Sequence, residues 1–130
     1  MAEITAAGYT QLRVGSPVNT WWIELRDGNG DPVPLAAGGS TVNRLSGDDG
    51  RVIVADDPGT QTLTFTVALT AGDVGAEPGS PVTIEGSVLF AAASGGSALT
   101  EVEAFDPVVL SAAEDVVTIR HHVEVPEQVN

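Results

Sequence analysis

Cysteine is absent from this 130-residue chain, and so is lysine: all five cations are arginines, Arg13, Arg26, Arg44, Arg51 and Arg120. Without cysteine there is no disulfide framework, no thiolate metal site and no thiol nucleophile. Five cations against 18 Asp+Glu give a formal charge of -13. Such a surface repels phosphate, so neither nucleic acid nor an anionic membrane is an expected partner. Long apolar runs are also lacking; the longest, Val88 to Ala93, falls far short of the ~20 residues a helix needs to cross a bilayer. The start, Met1 to Gly8, has neither the basic residues nor the apolar stretch of a secretory signal. Aromatics are scarce at 5%, which makes the adjacent pair Trp21 and Trp22 conspicuous.

What is present suits short strands joined by tight turns: 42% hydrophobic residues, 15 Gly and 8 Pro in a length that fits one domain. Side chains alternate with period two over most of the chain, which sends neighbours to opposite faces of a strand. From 61 to 70, Leu63, Phe65, Val67 and Leu69 alternate with Thr62, Thr64, Thr66 and Thr70. From 116 to 125, Val117, Ile119, His121, Val123 and Val125 share one face. From 81 to 92, Val82, Ile84, Gly86, Val88 and Phe90 share a parity, with Gly86 marking a bulge or a close neighbour. Residues 19–26 place Trp21, Ile23 and Leu25 opposite Trp22, Glu24 and Arg26, and shorter strands follow at 51–55 and 105–110. Six or seven strands result, punctuated by turn-forming stretches at 27–32, 36–40, 46–50, 56–59, 71–80 and 94–97. The expected fold is all-β, an antiparallel β-sandwich or barrel-like single domain over 19–126. Its core holds Leu63, Phe65, Val67, Ile84, Val88, Phe90, Val117, Ile119 and Val123. An N-terminal arm or short helix capped by Thr5 occupies 1–18, and 127–130 is a polar tail.

Candidate chemistry is thin. Asp27, Asn29 and Asp31 have the oxygen spacing that opens a calcium loop, but Pro32 and Gly38 stand where that loop needs its turn glycine and its closing carboxylate. The stretch therefore reads as a hairpin turn, and no metal or other cofactor is expected. Asp48, Asp49, Asp56 and Asp57 read as solvated loop residues. His121 and His122 are adjacent, so a regular strand points them to opposite faces, where they cannot share a metal. His121 reads as a core-edge residue hydrogen-bonded to backbone, and His122 as exposed. No Gly-x-Ser-x-Gly elbow is present, and Glu101 and Glu103 share a strand face with nothing to raise either pKa. Ser94 to Ser97 precedes no helix and is a loop, not a phosphate cradle. The expectation is a protein that is not an enzyme. One of Trp21 and Trp22 must point outward, to meet another subunit, the arm or a sugar. With Tyr9, Leu12 and Arg13 of the arm, these two form the expected interface.

Three stretches carry a resemblance: Ala2 to Gly8 with Leu12 and Arg13, Trp22 to Gly28 with Arg44 and Leu45, and Val117 to Pro126. Together they resemble small β-rich structural proteins from the tail and virion gene group of tailed bacteriophages. The resemblance implies a non-enzymatic, many-copy virion component at the tail tip, baseplate or fibre attachment, made in the host cytoplasm. Its implied partners are other virion proteins and copies of itself. It supplies no functional residues, and the segment Arg13 to Pro17 departs from the helix-like continuation such proteins suggest. The alternatives are a head decoration protein of the capsid and a carbohydrate-binding sandwich that stacks a sugar on the outward Trp.

Overall fold

The computed structural model describes residues 2–13, 20–57 and 62–124. The expected boundary at 18/19 and the polar tail at 127–130 lie outside the described residues. Two four-stranded sheets hold most of the strand residues. The first runs β1 (Ala2–Glu3), β10 (Val116–Glu124), β7 (Thr62–Thr70), β6 (Val52–Asp57), and the second runs β5 (Arg44–Ser46), β2 (Trp22–Arg26), β8 (Val82–Phe90), β9 (Glu103–Leu110). A small hairpin, β3 (Leu35–Ala37) and β4 (Ser40–Val42), turns through Gly38 and Gly39, both at positive φ. Every pairing is antiparallel except that of β1 with β10. The all-β, antiparallel expectation is met. Ten strands are described where six or seven were expected, because two- and three-residue strands carry too little alternation to stand out in a sequence.

The core follows from the alternation. Leu63, Phe65, Val67 and Leu69 of β7, with Ile119, His121 and Val123 of β10, are buried from the first sheet. Trp21 just before β2, Ile23, Leu25, Ile84 and Leu89 are buried from the second, and the apolar members of both sets form one cluster. At about 1.5 to 3 kcal/mol for each large apolar side chain removed from water, this shared core is the main force holding the sheets together.

Strand β8 departs from the expected parity. Ile84 and Leu89 both belong to the cluster although five positions separate them, so the alternation slips between them. The slip lies at a bulge, where the step from Ile84 to Gly86 on β8 faces the longer step from Val108 to Ala104 on β9. Gly86 fits here because a Cβ would lie 3.1 Å from a Val102 methyl. Val88 and Phe90 are therefore buried, but outside the shared cluster, opposite Glu24 and Trp22 of β2. Leu89, which the period-two reading sent outward, takes their place in the core.

The N-terminal segment forms the short helix that Thr5 is expected to cap, and the residues before it are tied to the domain. Glu3 accepts the backbone N–H of Glu101, Ile4 bridges Thr100 and joins the core, and the Thr5 N–H donates to Leu99 (2.9 Å). Since β1 pairs with β10, these bonds stitch the first sheet to the strand segment leading into β9. Helix α1 (Ala6–Arg13) follows, with the Gly8 N–H donating to Thr5 Oγ1 at 3.2 Å, as a cap requires. Glycine in a helix costs about 1 kcal/mol relative to alanine, yet Gly8 belongs here. Its reason is contact: a Cβ there would stand 2.2 Å from the Leu99 carbonyl oxygen.

Candidate functional site

The slip in β8 has a chemical consequence. It turns Ser87 inward, where its Oγ lies 2.7 Å from Nδ1 of His121 on the other sheet. On the far side of the ring, Nε2 lies 3.0 Å from Thr100 Oγ1. All three side chains are sealed from solvent, His121 with no exposed surface at all. The protons can be assigned from the network. The Thr100 hydroxyl donates to the Glu101 carbonyl (3.0 Å), so it accepts from Nε2–H, and Nδ1 accepts from the Ser87 hydroxyl. That arrangement satisfies a neutral imidazole at both nitrogens. Burial holds the ring neutral, pushing its pKa down to about 4, with the neighbouring His122 adding a smaller effect in the same direction.

Glu103 completes what looks on paper like a hydroxyl, imidazole and carboxylate set. Its Oε2 is 3.7 Å from Nδ1, beyond hydrogen-bond range, and accepts the backbone N–H of His122 at 2.8 Å. Among the described residues, Ser87 has no exposed surface for a substrate to reach. What the cluster does is join the two sheets through polar contacts that have a single geometry. His121 is thus deep in the core, not at its edge, with hydroxyls facing both ring nitrogens. His122 is half-buried, not exposed, with Nδ1 3.0 Å from Thr64 Oγ1 on β7. Glu101 precedes β9 and is exposed, so it shares no strand face with Glu103.

A second polar cluster covers the outer face of the second sheet. Glu24 is paired with Arg44 (3.1 Å) and with Arg26, and the Arg44 guanidinium lies 3.4 Å from the centroid of the Phe90 ring. Arg44 also donates to the carbonyls of Ala92 (2.8 Å) and Gly95 (2.9 Å), which holds residues 91–97 beside this face. Glu24 and Arg44 are buried. Period-two reading marks Glu24 and Arg26 as outward and polar, but nothing in it says that a loop and an arginine from β5 will cover them.

The remaining candidates separate. In the turn after β2, Asp27 Oδ1 accepts the N–H groups of Asn29 (2.9 Å) and Asp31 (3.0 Å), so its carboxylate is used to close the turn. Among the described residues, no three acidic or histidine side chains gather as metal ligands. Asp49 chelates Arg51 through two oxygens (2.9 and 3.0 Å), and that hydrogen bonding holds its carboxyl below the usual range. Arg51 reaches on to Asp73 (3.0 Å). The side chains of Asp56 and Asp57, and those of Leu12 and Arg13, lie outside the described residues. Trp21 is sealed in the core, and its Nε1–H has no partner among the described residues, so it leaves the interface set. Trp22 is half-buried across from Phe90, and Tyr9 is half-buried against the core. No protein-family model, curated protein or solved structure matches the chain. Among the described residues, no helix is long and apolar enough to cross a membrane.

Proposed function

We propose that this chain is a non-enzymatic structural component of a tailed bacteriophage virion, acting by the place it holds in the tail tip, baseplate or fibre attachment. The observation that carries the non-catalytic part is the sealing of Ser87, Thr100 and His121. The side chains best placed for nucleophilic chemistry are consumed in joining two sheets. Arg44 and Glu24 are likewise consumed in covering one face. A body fixed in this way presents constant surfaces, which suits repeated contacts in an assembly. The virion part comes from the likeness of Ala2 to Gly8, Trp22 to Gly28 and Val117 to Pro126 to that gene group. The sugar-binding alternative loses support, since Trp21 is buried and Trp22 is only half-exposed.

The test is quantitative mass spectrometry of purified phage particles, followed by labelling with an antibody to the chain under the electron microscope. The reading expects several copies per particle, and label on the tail. Absence from particles that are complete and infectious overturns it, and label on the capsid moves the assignment to head decoration.

A further inference from the structure

Strand β10 is paired along its length with β7; on its other side, among the described residues, the strand that pairs with it is β1, at Val123 and Glu124, and β9 approaches it near His122 without pairing. Strand β9 ends its own sheet. Among the described residues these two edges flank a groove of about 380 Å³, lined by Phe105, Asp106, Val108, Thr118, Ile119 and Arg120. Beyond one end lies the turn between the strands, pinned where Asp115 accepts the N–H groups of Ser111 and Ala112 (both 2.9 Å). Beyond the other, β1 lies between β10 and the segment at Thr100 and Glu101.

The direction of the backbone groups follows from one hydrogen bond. The His122 N–H donates to Glu103 on β9, not across to β7, so His122 and Thr64 form a non-hydrogen-bonded pair. Arg120 with Thr66 and Thr118 with Ala68 fall on the same alternation. Their N–H and C=O groups therefore point away from β7, towards the groove. Pro107 in the middle of β9 has no N–H to give, so β10 is the edge that offers a ladder. Phe105, Val108 and Ile119 supply apolar surface. Asp106 and Arg120 are the charged residues of the lining, Glu103 lies next to it on the His122 N–H, and the chain as a whole carries a net charge of -13.

We propose that this groove takes an extended segment of another polypeptide, which adds as a strand beside Thr118 and Arg120 of β10. Alternate apolar side chains of the segment enter the groove, and its Lys or Arg residues meet Asp106 on a chain of net charge -13. Strand β1 is the precedent, since it occupies this same side of β10 a few residues further along. The inference deepens the assembly reading by giving the partner's chemistry, and rests on that reading only for where the partner comes from.

The experiment titrates the full chain with a capped eight-residue peptide that alternates valine with arginine or lysine, followed by amide NMR shifts. Saturable shifts confined to 105–108 and 116–122 are expected. Methylating alternate backbone nitrogens of the peptide should weaken binding at least tenfold, because a strand must donate and accept. Asp106→Lys, on an exposed side chain, should weaken the parent peptide several-fold while leaving the spectrum of the free protein folded. Absence of saturable shifts at millimolar peptide, shifts centred elsewhere, or equal binding of the methylated peptide each overturn the proposal. None of those results bears on whether the protein is found in particles, so the two readings fail separately.

Discussion

The outer face of β7 carries Thr62, Thr64, Thr66 and Thr70 and stays partly open to water, whereas the outer face of β2 carries Trp22, Glu24 and Arg26 and is largely covered. The open face also shows Ile53 at 68% exposure and Val116 at 74%. The covered face holds Glu24 and Arg44 nearly out of solvent, against Phe90. Alternation in sequence is similar for both. The difference arises from a long-range partner, because Arg44 crosses from β5 to pair Glu24 and to hold residues 91–97 in place. A polar outward position thus costs little to change where water replaces the neighbours, and much where a second charge depends on it.

The largest effect is expected on the covered face. Arg44→Ala removes one of the two partners of a buried carboxylate, leaving Arg26, and with it the stack on Phe90 and the tether of residues 91–97, so unfolding free energy should fall by about 3 to 5 kcal/mol. Urea denaturation of the variant checks this; a loss below about 1 kcal/mol would place Glu24 in water. Next comes the interior imidazole. His121 in the unfolded chain takes a proton near its ordinary value of 6.5, whereas in the folded chain it does so only near 4. Over that window the unfolded state binds more protons, so stability is full above about pH 6.5 and is lost as pH falls towards 4. The loss amounts to roughly 3 kcal/mol. Denaturation midpoints at pH 7, 5.5 and 4.5 should show it, and a neutral replacement, His121→Gln, should flatten that part of the profile.

A smaller effect is expected at the N-terminal stitch. Gly8→Ala forces α1 away from the Leu99 carbonyl, which should lower stability by about 1 to 3 kcal/mol although alanine favours helix. A stabilised variant would mean that α1 is not seated on Leu99. Smallest of all, Thr66→Ala on the open face should stay within about 0.5 kcal/mol in the same assay.

Much of this fold is legible in the sequence, and the reason is physical. In β2, β7 and β10 one face is apolar and the other is not, so Ile23, Leu25, Leu63, Phe65, Val67, Ile119 and Val123 declare themselves by parity alone. In β8 that logic fails, since Val88, Leu89 and Phe90 are consecutive and apolar, and the bulge that chooses among them depends on the register with β9. Gly86 is the one local mark it leaves. The inward hydroxyls had no such mark: Ser87 and Thr100 are small and polar, and only folding shows that they meet the two nitrogens of one imidazole. The role of Gly8 is not legible from helix propensity, which treats a helix as isolated, whereas this one is packed against a carbonyl.

The claim on which the account turns is that His121, Ser87 and Thr100 are an interior connector between sheets and not a working site. The most direct measurement is an NMR titration of the His121 ring nitrogens in the intact chain. The account predicts a neutral ring protonated on Nε2 throughout the neutral range, with a midpoint near 4 that coincides with loss of the native spectrum. A reversible midpoint near 6.5 in a chain that stays folded would contradict it, since an imidazole that exchanges protons freely with water is open to a substrate as well.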